Sequence, residues 1–594
     1  GYCFIKLKLA DEYLASILAR IIDDQLFLFV RKRDGVSVKK LVVVTLVISI
    51  LFGMVYLNRT SLMIWAAGQG AMGFLARLAE PILPTQSVKW QRSAPHEFSN
   101  TDRPPNIIVI LADDLGWNDV SFYGGGIGKG IVQTPNIDRI ATEGVHFNNG
   151  YAGNATCAPS RAALLTGRYP TRYGFEFTPA PSVMMQMAAS FDSHRVEPNP
   201  GVFLEDNMVE FPPLEEQGVP TSEIFLPELL SKAGYHSVIL GKWHLGESEG
   251  FTPVDRGFDE FLGFLPGAAM FAEFEDPDMV KSIQAFDPID QFLWPNLTYA
   301  VRYNKEQHFS PDEYMTDYLS TQAVRVIDAN KDRPFFMYLS YNAPHTPLHA
   351  KKSDYDALSA IDDHTERVYG AMVVALDRGI GRVMKALEEA GVDDNTLIVF
   401  SSDNGGAHYV GLPNLNSPYR GWKMTFYEGG THVPFFMRWP DRIEAGSEYQ
   451  RPVTHIDIFS TAAAAAKVSV PDDREIDGVD LVPYINGEIK GDPHEAIFWR
   501  TGTYRAVRSG DWKLQLSDPD GTAFLFNLKV DPTEENNLSG SEPGELDRLK
   551  RLIETEMGEW SAPLRPPLIK GPQYPDKHMN EPLDKTDVPV YWYN

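Results

Sequence analysis

Four short, mostly apolar runs recur along this chain: residues 106–111 (NIIVIL), 235–240 (YHSVIL), Phe335–Ser340 (FFMYLS) and 396–401 (TLIVFS). A strand with one wet face alternates polar and apolar residues. Runs like these need cover on both faces, which is the signature of a buried parallel strand. Between them lie helical patterns. The clearest places Leu376, Ile380, Val383 and Leu387 on one face, with Gly391 as its stop. Strands alternating with helices predict an α/β fold: a large, mostly parallel or mixed sheet flanked by helices. With 594 residues and a 43 % hydrophobic share, the chain has ample material for such a core, and wholesale disorder is excluded.

The polar residues just beyond each run are more specific. Asp113 and Asp114 come after the first, Lys242 and His244 after the second, His345 after the third, and Asp403 and Asn404 after the fourth. Loops at the carboxyl ends of an open α/β sheet converge on one crevice, so these residues describe one site. Asp113, Asp114, Asp403 and Asn404 offer oxygen ligands only, which suits Ca²⁺, or Mg²⁺, rather than zinc. Lys242, Lys423 and Arg161 would bring positive charge to a chain whose 80 acidic and 54 basic residues leave a net charge of −26. That balance argues against nucleic acid as a partner. His244 and His345 can exchange protons near neutral pH. A cation, three basic groups and two histidines together suit a tetrahedral oxyanion in transfer.

Only two cysteines occur, Cys3 and Cys157, which excludes a disulfide scaffold and a four-cysteine metal site. Cys157 is either a small buried hydrophobe or a reactive group. It opens the segment CAPSRAALLTGR (157–168), in which Pro159 fits a first helical turn and Gly167 a helix end. Cys157 would then sit at a positive helix N-terminus. The segment matches the motif C-x-P-S-R-x-x-x-L-T-G-R without departure, and by it the chain resembles the sulfatase family, of the arylsulfatase type within the alkaline-phosphatase-like superfamily. The resemblance extends over NIIVILADDLG (106–116), TPNID (134–138), GKWHLG (241–246), APHTP (343–347), SDNGG (402–406) and GWKMTFYEGG (421–430), and spans roughly residues 104–560.

The resemblance implies a sulfuric ester hydrolase acting on a sulfated small molecule or carbohydrate. It implies that a formylglycine-generating enzyme oxidises Cys157 to formylglycine, whose hydrated aldehyde attacks sulfur. Arg161 would hold the hydrate and Lys242 the sulfate. His345 and Lys423 would bind the ester and assist the leaving alcohol, and His244 would help expel sulfate by taking a proton. The cation would be held by Asp113, Asp114, Asp403 and Asn404, together with position 157. Two other readings stay open: a phosphodiesterase or phosphonate monoester hydrolase of the same superfamily, and a catalytically inactive membrane-tethered binding protein.

Residues 104–450 are expected to form the catalytic domain. Residues 451–594 are expected to form a smaller α+β domain and tail, with antiparallel strands at 504–508, 512–516 and 523–528 and a helix at 543–560. Insertions at 175–219 and 269–303 read as lids over the pocket. Residues 41–57 carry no charge and come directly after Lys39 and Lys40, with Arg31, Lys32 and Arg33 behind them. They read as a transmembrane signal-anchor with residues 1–40 cytoplasmic and the catalytic domain periplasmic, extracellular or lumenal. A secreted enzyme with a cleaved signal is the alternative. Residues 58–103 read as a linker; within it, 61–84 is apolar but broken by Gly68, Gly70 and Gly73, as for a segment lying along a surface.

Overall fold

The computed structural model describes residues 66, 68–92, 103–192, 201–517 and 521–594. The chain divides into two compact units, Gly1–Gln69 and Gly70–Asn594, and the elements that build the site all belong to the second. Residues 1–40 and 41–57, expected to precede and to span a membrane, lie outside the described residues. Among the described residues no helix is long and apolar enough to cross one.

A nine-stranded sheet organises the second unit. Its strands are β1 (Asn106–Ala112), β2 (Val145–Phe147), β3 (His236–Lys242), β4 (Glu260–Phe264), β5 (Arg302–Tyr303), β6 (Phe335–Ser340), β7 (Thr396–Ser402), β8 (Phe435–Arg438) and β9 (Ser447–Tyr449). Their order is β9-β2-β8-β7-β1-β6-β3-β4-β5. The central five, β7-β1-β6-β3-β4, are parallel, and four of them are the apolar runs. Antiparallel pairs β7–β8, β8–β2 and β4–β5 extend the sheet on either side.

Every residue of β1 is buried, and its two faces enter different cores. Ile108 and Ile110 pack among residues of helices α5 (Met315–Asn330) and α6 (His364–Ala390), including Leu319, Leu376 and Ile380. Ile107, Val109 and Leu111 face α2 (Cys157–Thr166) and α7 (Ile456–Ala465) through Leu164, Leu165 and Phe459. Each fully buried aliphatic side chain contributes about 1.5–3 kcal/mol. Register then places the loops. β1 pairs with β7 from Asn106↔Thr396 to Ala112↔Ser402, so Asp113 and Asp403 leave adjacent strands at the same height.

The C-terminal part carries an antiparallel sheet of β10 (Ile497–Thr501), β11 (Tyr504–Ser509), β12 (Trp512–Ser517) and β13 (Thr522–Asn527), covered by α8 (Pro543–Met557). Three of its strands and the helix follow the expected spans. β10 was not anticipated, because IFWRT lacks a clean alternation. A buried ionic cluster joins this sheet to the segment after Lys423: Lys513 Nζ on β12 donates to Glu428 at 2.7 Å and lies 3.3 Å from Glu534, while Tyr151 Oη donates to Glu428 at 2.7 Å. Lys513 and Glu534 are wholly buried.

Removing Lys513 takes the one lysine from two buried acids, leaving Glu428 to His432 and Tyr151, and Glu534 without a cation in contact among the described residues. Lys513→Ala should therefore cost about 3–5 kcal/mol, read as a lower denaturant midpoint by tryptophan fluorescence. A change under about 1 kcal/mol, as for an exposed pair, would show that the cluster does not hold the sheet.

Candidate active site

Cys157 is the first residue of α2, whose N-terminus points at the carboxyl edge of the sheet. Thr156 supplies no side-chain cap, and Gly167 (φ 67°) ends the helix in the left-handed region that favours glycine. The Cys157 Sγ lies 3.5 Å from Asp113 Oδ1 and 3.8 Å from Asp114 Oδ1. Burial pushes the thiol's pKa well up, and the charges of Asp403 and Asp113 add to the effect against Lys242 and Lys423. The chain's own groups thus hold Cys157 as a neutral thiol, a poor nucleophile.

Each acid has its own cation. Lys242 Nζ donates to both oxygens of Asp113 at 2.8 and 2.7 Å. Lys423 Nζ lies 2.8 and 2.9 Å from the two oxygens of Asp114. Arg161 binds Asp403 Oδ2 through Nε (2.9 Å) and Nη2 (2.7 Å), while its Nη1 donates to Ser340 Oγ. Mutual repulsion among the acids is therefore no argument for a metal, since three cations already offset three carboxylates. Asp113 and Asp114 are held below the usual carboxylate range by these lysines, against the opposing effect of burial. Burial and the neighbouring Asp113 raise Asp403 to about 6.

The donor set nevertheless fits a hard cation. Asn404 Nδ2 donates to Asp114 Oδ1 at 2.8 Å, and the Asp114 amide donates to Asp403 Oδ1 at 3.2 Å. The amide oxygen of Asn404 is buried with no hydrogen-bond partner, a costly state for such an atom unless a ligand meets it. Asp113, Asp114, Cys157 and His345 also offer ligand atoms within 4.8 Å of one another.

Both histidines line the cavity that opens over Cys157 and Lys423. His345 Nδ1 meets the Thr346 carbonyl at 2.6 Å, so Nδ1 carries the hydrogen and Nε2 turns its lone pair toward Lys423 Nζ, 3.3 Å away. Burial lowers His345, and lowers His244 far below its ordinary value, with Lys242 and Arg161 adding to the latter. His244 Nδ1 is buried without a partner. Three of seven non-glycine residues with positive φ among the described residues are Asp114 (62°), His244 (66°) and Met424 (68°), the last next to Lys423. Such backbone strain concentrates where surroundings force a side chain into a functional position.

Every site residue named from sequence is thus placed at one edge of the sheet. Tyr409 was missed. Its hydroxyl donates to Asp114 Oδ2 at 2.6 Å and accepts from Lys423 at 2.9 Å. Nothing in the sequence marks it apart from its nearness to Asn404. Behind the site, the Asp114 loop rests on Asp119, whose Oδ2 accepts from Tyr369 Oη and the Gly116 amide, each at 2.7 Å.

Comparison with known proteins places this arrangement. Residues 105–468 match the family model described as Sulfatase, and residues 420–560 that of the N-sulphoglucosamine sulphohydrolase C-terminal region. N-acetylgalactosamine-6-sulfatase of Rattus norvegicus is 32 % identical over 454 residues, covering 74 % of this chain and 76 % of the relative. An uncharacterised sulfatase, YdeN, of Escherichia coli K12 is 31 % identical over 490 residues, with the same coverage. The crystal structure of Ps i-CgsB in complex with a neocarrahexaose has a TM-score of 0.64 and 32 % identity, covering 78 % of this chain and 95 % of that one.

Asp119 yields a pH test. Burial pushes its carboxyl up to about 8, against about 4 in an unfolded chain. Between those values the unfolded state holds fewer protons than the folded one, so this group makes stability fall as pH rises from about 4 to 8. Asp119→Asn should flatten that decline in thermal melts between pH 5 and 8. An unchanged slope would refute the assignment.

Proposed function

We propose, for a chain that belongs to the sulfatase family and is a sulfate-ester hydrolase, that position 157 works as formylglycine and that one divalent cation sits among Asp113, Asp114, Asp403 and Asn404. The observation that carries this reading is the place of Cys157: buried at a helix N-terminus, its Sγ 3.5 Å from Asp113 and 3.8 Å from Asp114, beside Lys242, Lys423 and Arg161. A thiol has no second hydroxyl with which to release a bound sulfate, whereas a hydrated aldehyde there would supply one hydroxyl to attack sulfur and a second whose loss of a proton expels it. The cation, calcium before magnesium, would supply Lewis-acid polarisation of sulfate oxygens.

The chain's own groups do the rest. Arg161 is pinned by Asp403 and Ser340, so it presents a fixed charge to the hydrate. Lys242 and Lys423 offer ammonium groups to the sulfate and to the departing oxygen, where negative charge grows. His345, neutral and with its tautomer set by Thr346, accepts from Lys423 and so fixes the ammonium group that would assist the leaving alcohol. His244 has an unpaired ring nitrogen and stays neutral, ready to accept the proton whose loss expels sulfate. The names of the relatives support a sulfated carbohydrate or small molecule as substrate. Anchoring by residues 41–57 and oxidation by a formylglycine-generating enzyme belong to the same proposal and rest on sequence alone.

Cys157→Ala should abolish hydrolysis of an aryl sulfate while leaving the melting temperature near that of the parent, and Lys423→Ala should lower kcat about 10²–10³-fold. Mass spectrometry of the peptide carrying position 157 from active protein should find the aldehyde. Full activity with unmodified cysteine would defeat the mechanism.

Elemental analysis of active protein should give one calcium or magnesium per chain, lost in Asp114→Ala. Stoichiometric zinc without either would overturn the oxygen-ligated site.

A further inference from the structure

The sulfate end of the cavity is built from charge, but its walls are not. A space of about 540 Å³ opens from Cys157, His345 and Lys423. Its sides include Met184 from α3 (Ser182–Asp192), Ile289, Phe292 and Leu293 from α4 (Pro288–Asn296), Met579 from the C-terminal tail, and Met72 from α1 (Ala71–Ala79). Four of the six are only half-buried, so they offer apolar surface to the space. α1 is seated firmly on α4. The Gly73 amide donates to Asn296 Oδ1 at 3.0 Å, and a Cβ at Gly73 would fall 2.5 Å from the Asn296 carbonyl oxygen.

Two features bear on what the space accepts. Buried sugar hydroxyls need partners; the lining has a few, such as Thr298 and Gln573, but its thioether and aliphatic stretches offer none and adapt instead to an apolar shape. The charge balance also disfavours a polyanionic glycan. Beyond Lys423, the lining contains one further lysine or arginine among the described residues, Lys577, against the acidic side chains of Asp287 and Glu581 and of Glu247, which burial raises to about 7. A chain bearing repeated sulfates or uronates would meet more acidic than lysine or arginine side chains after its first ester.

We propose that the alcohol released here carries a large apolar body beside the esterified hydroxyl, so that the substrate is a sulfated amphiphile: a sulfate ester on a long-chain or polycyclic alcohol, or on a glycoside of one. The proposal rests on the sulfate-ester reading above and narrows its alcohol.

The test is a series of 4-alkylphenyl sulfates from methyl to octyl, whose leaving phenols have nearly equal acidity, assayed on formylglycine-bearing full-length protein beside a monosulfated disaccharide. The expected result is that kcat/KM rises about two- to fourfold per added methylene over the first several, with octyl exceeding the disaccharide. Phe292→Ala should reduce the octyl-to-methyl ratio about tenfold. A flat series, or a preference for the disaccharide, would overturn the apolar-alcohol proposal while leaving the hydrolase reading intact. Failure to hydrolyse any of these esters would overturn both.

Discussion

Three carboxylates and three cations lie buried together at one edge of a sheet, and none of the six is tolerable there alone. Taking a single charge out of water costs several kcal/mol, which only a close partner of opposite sign offsets. Asp113 leans on Lys242, Asp114 on Lys423, and Asp403 on Arg161. These six come from five separate segments: the ends of β1, β3 and β7, the helix α2, and the loop before Glu428. Each segment must therefore arrive in register, or an ion is left unpaired. The β1–β7 pairing sets Asp113 beside Asp403, and α2 is fixed from behind, where His455 bridges Ser160 on the helix (3.1 Å) and Ser401 on β7 (2.8 Å).

That interlock explains why the C-terminal sheet matters to a site it does not line with charge. Lys423 lies five residues before Glu428, and Glu428 is bound by Lys513 of β12 and Tyr151. The loop presenting the distal lysine is thus anchored on a second buried ionic cluster. Arg508 of β11 reaches the Tyr151 hydroxyl as well. The smaller sheet holds one jaw of the site from outside.

Much of this was legible in the chain itself. Short runs apolar on both faces and rich in β-branched and aromatic residues suit buried strands, so four of the five central parallel strands were legible, and their polar successors marked the edge where a site lies. β4 was less plain because EFLGF opens on Glu260, which is satisfied only in three dimensions, by His236 and Tyr303. Which cation serves which acid, and the part of Tyr409, depend on distances between residues hundreds of positions apart, and no local pattern encodes those. The stretch 61–84 shows a further limit. Its glycines looked like interruptions in a surface-lying segment, yet Gly73 is where α1 presses against the backbone of α4. A glycine that permits close approach and one that breaks a helix are identical in sequence.

The division of labour within the cavity reflects these two kinds of information. The floor is drawn from strand ends whose charges constrain one another, so it cannot drift without losing an ion's partner. The walls come from α1 and from the insertions bearing α3 and α4; the side chains they turn to the space are mostly apolar, and among the described residues they make no ion pair with the floor. Changing a wall residue alters volume and contact area, at a cost of one to a few kcal/mol, and leaves the six charges paired. Such a chain can exchange one alcohol for another while keeping its chemistry at sulfur. The physical reason is that the catalytic edge is held by pairwise electrostatics and the alcohol's chamber by packing and hydrogen bonds such as that from Gly73 to Asn296.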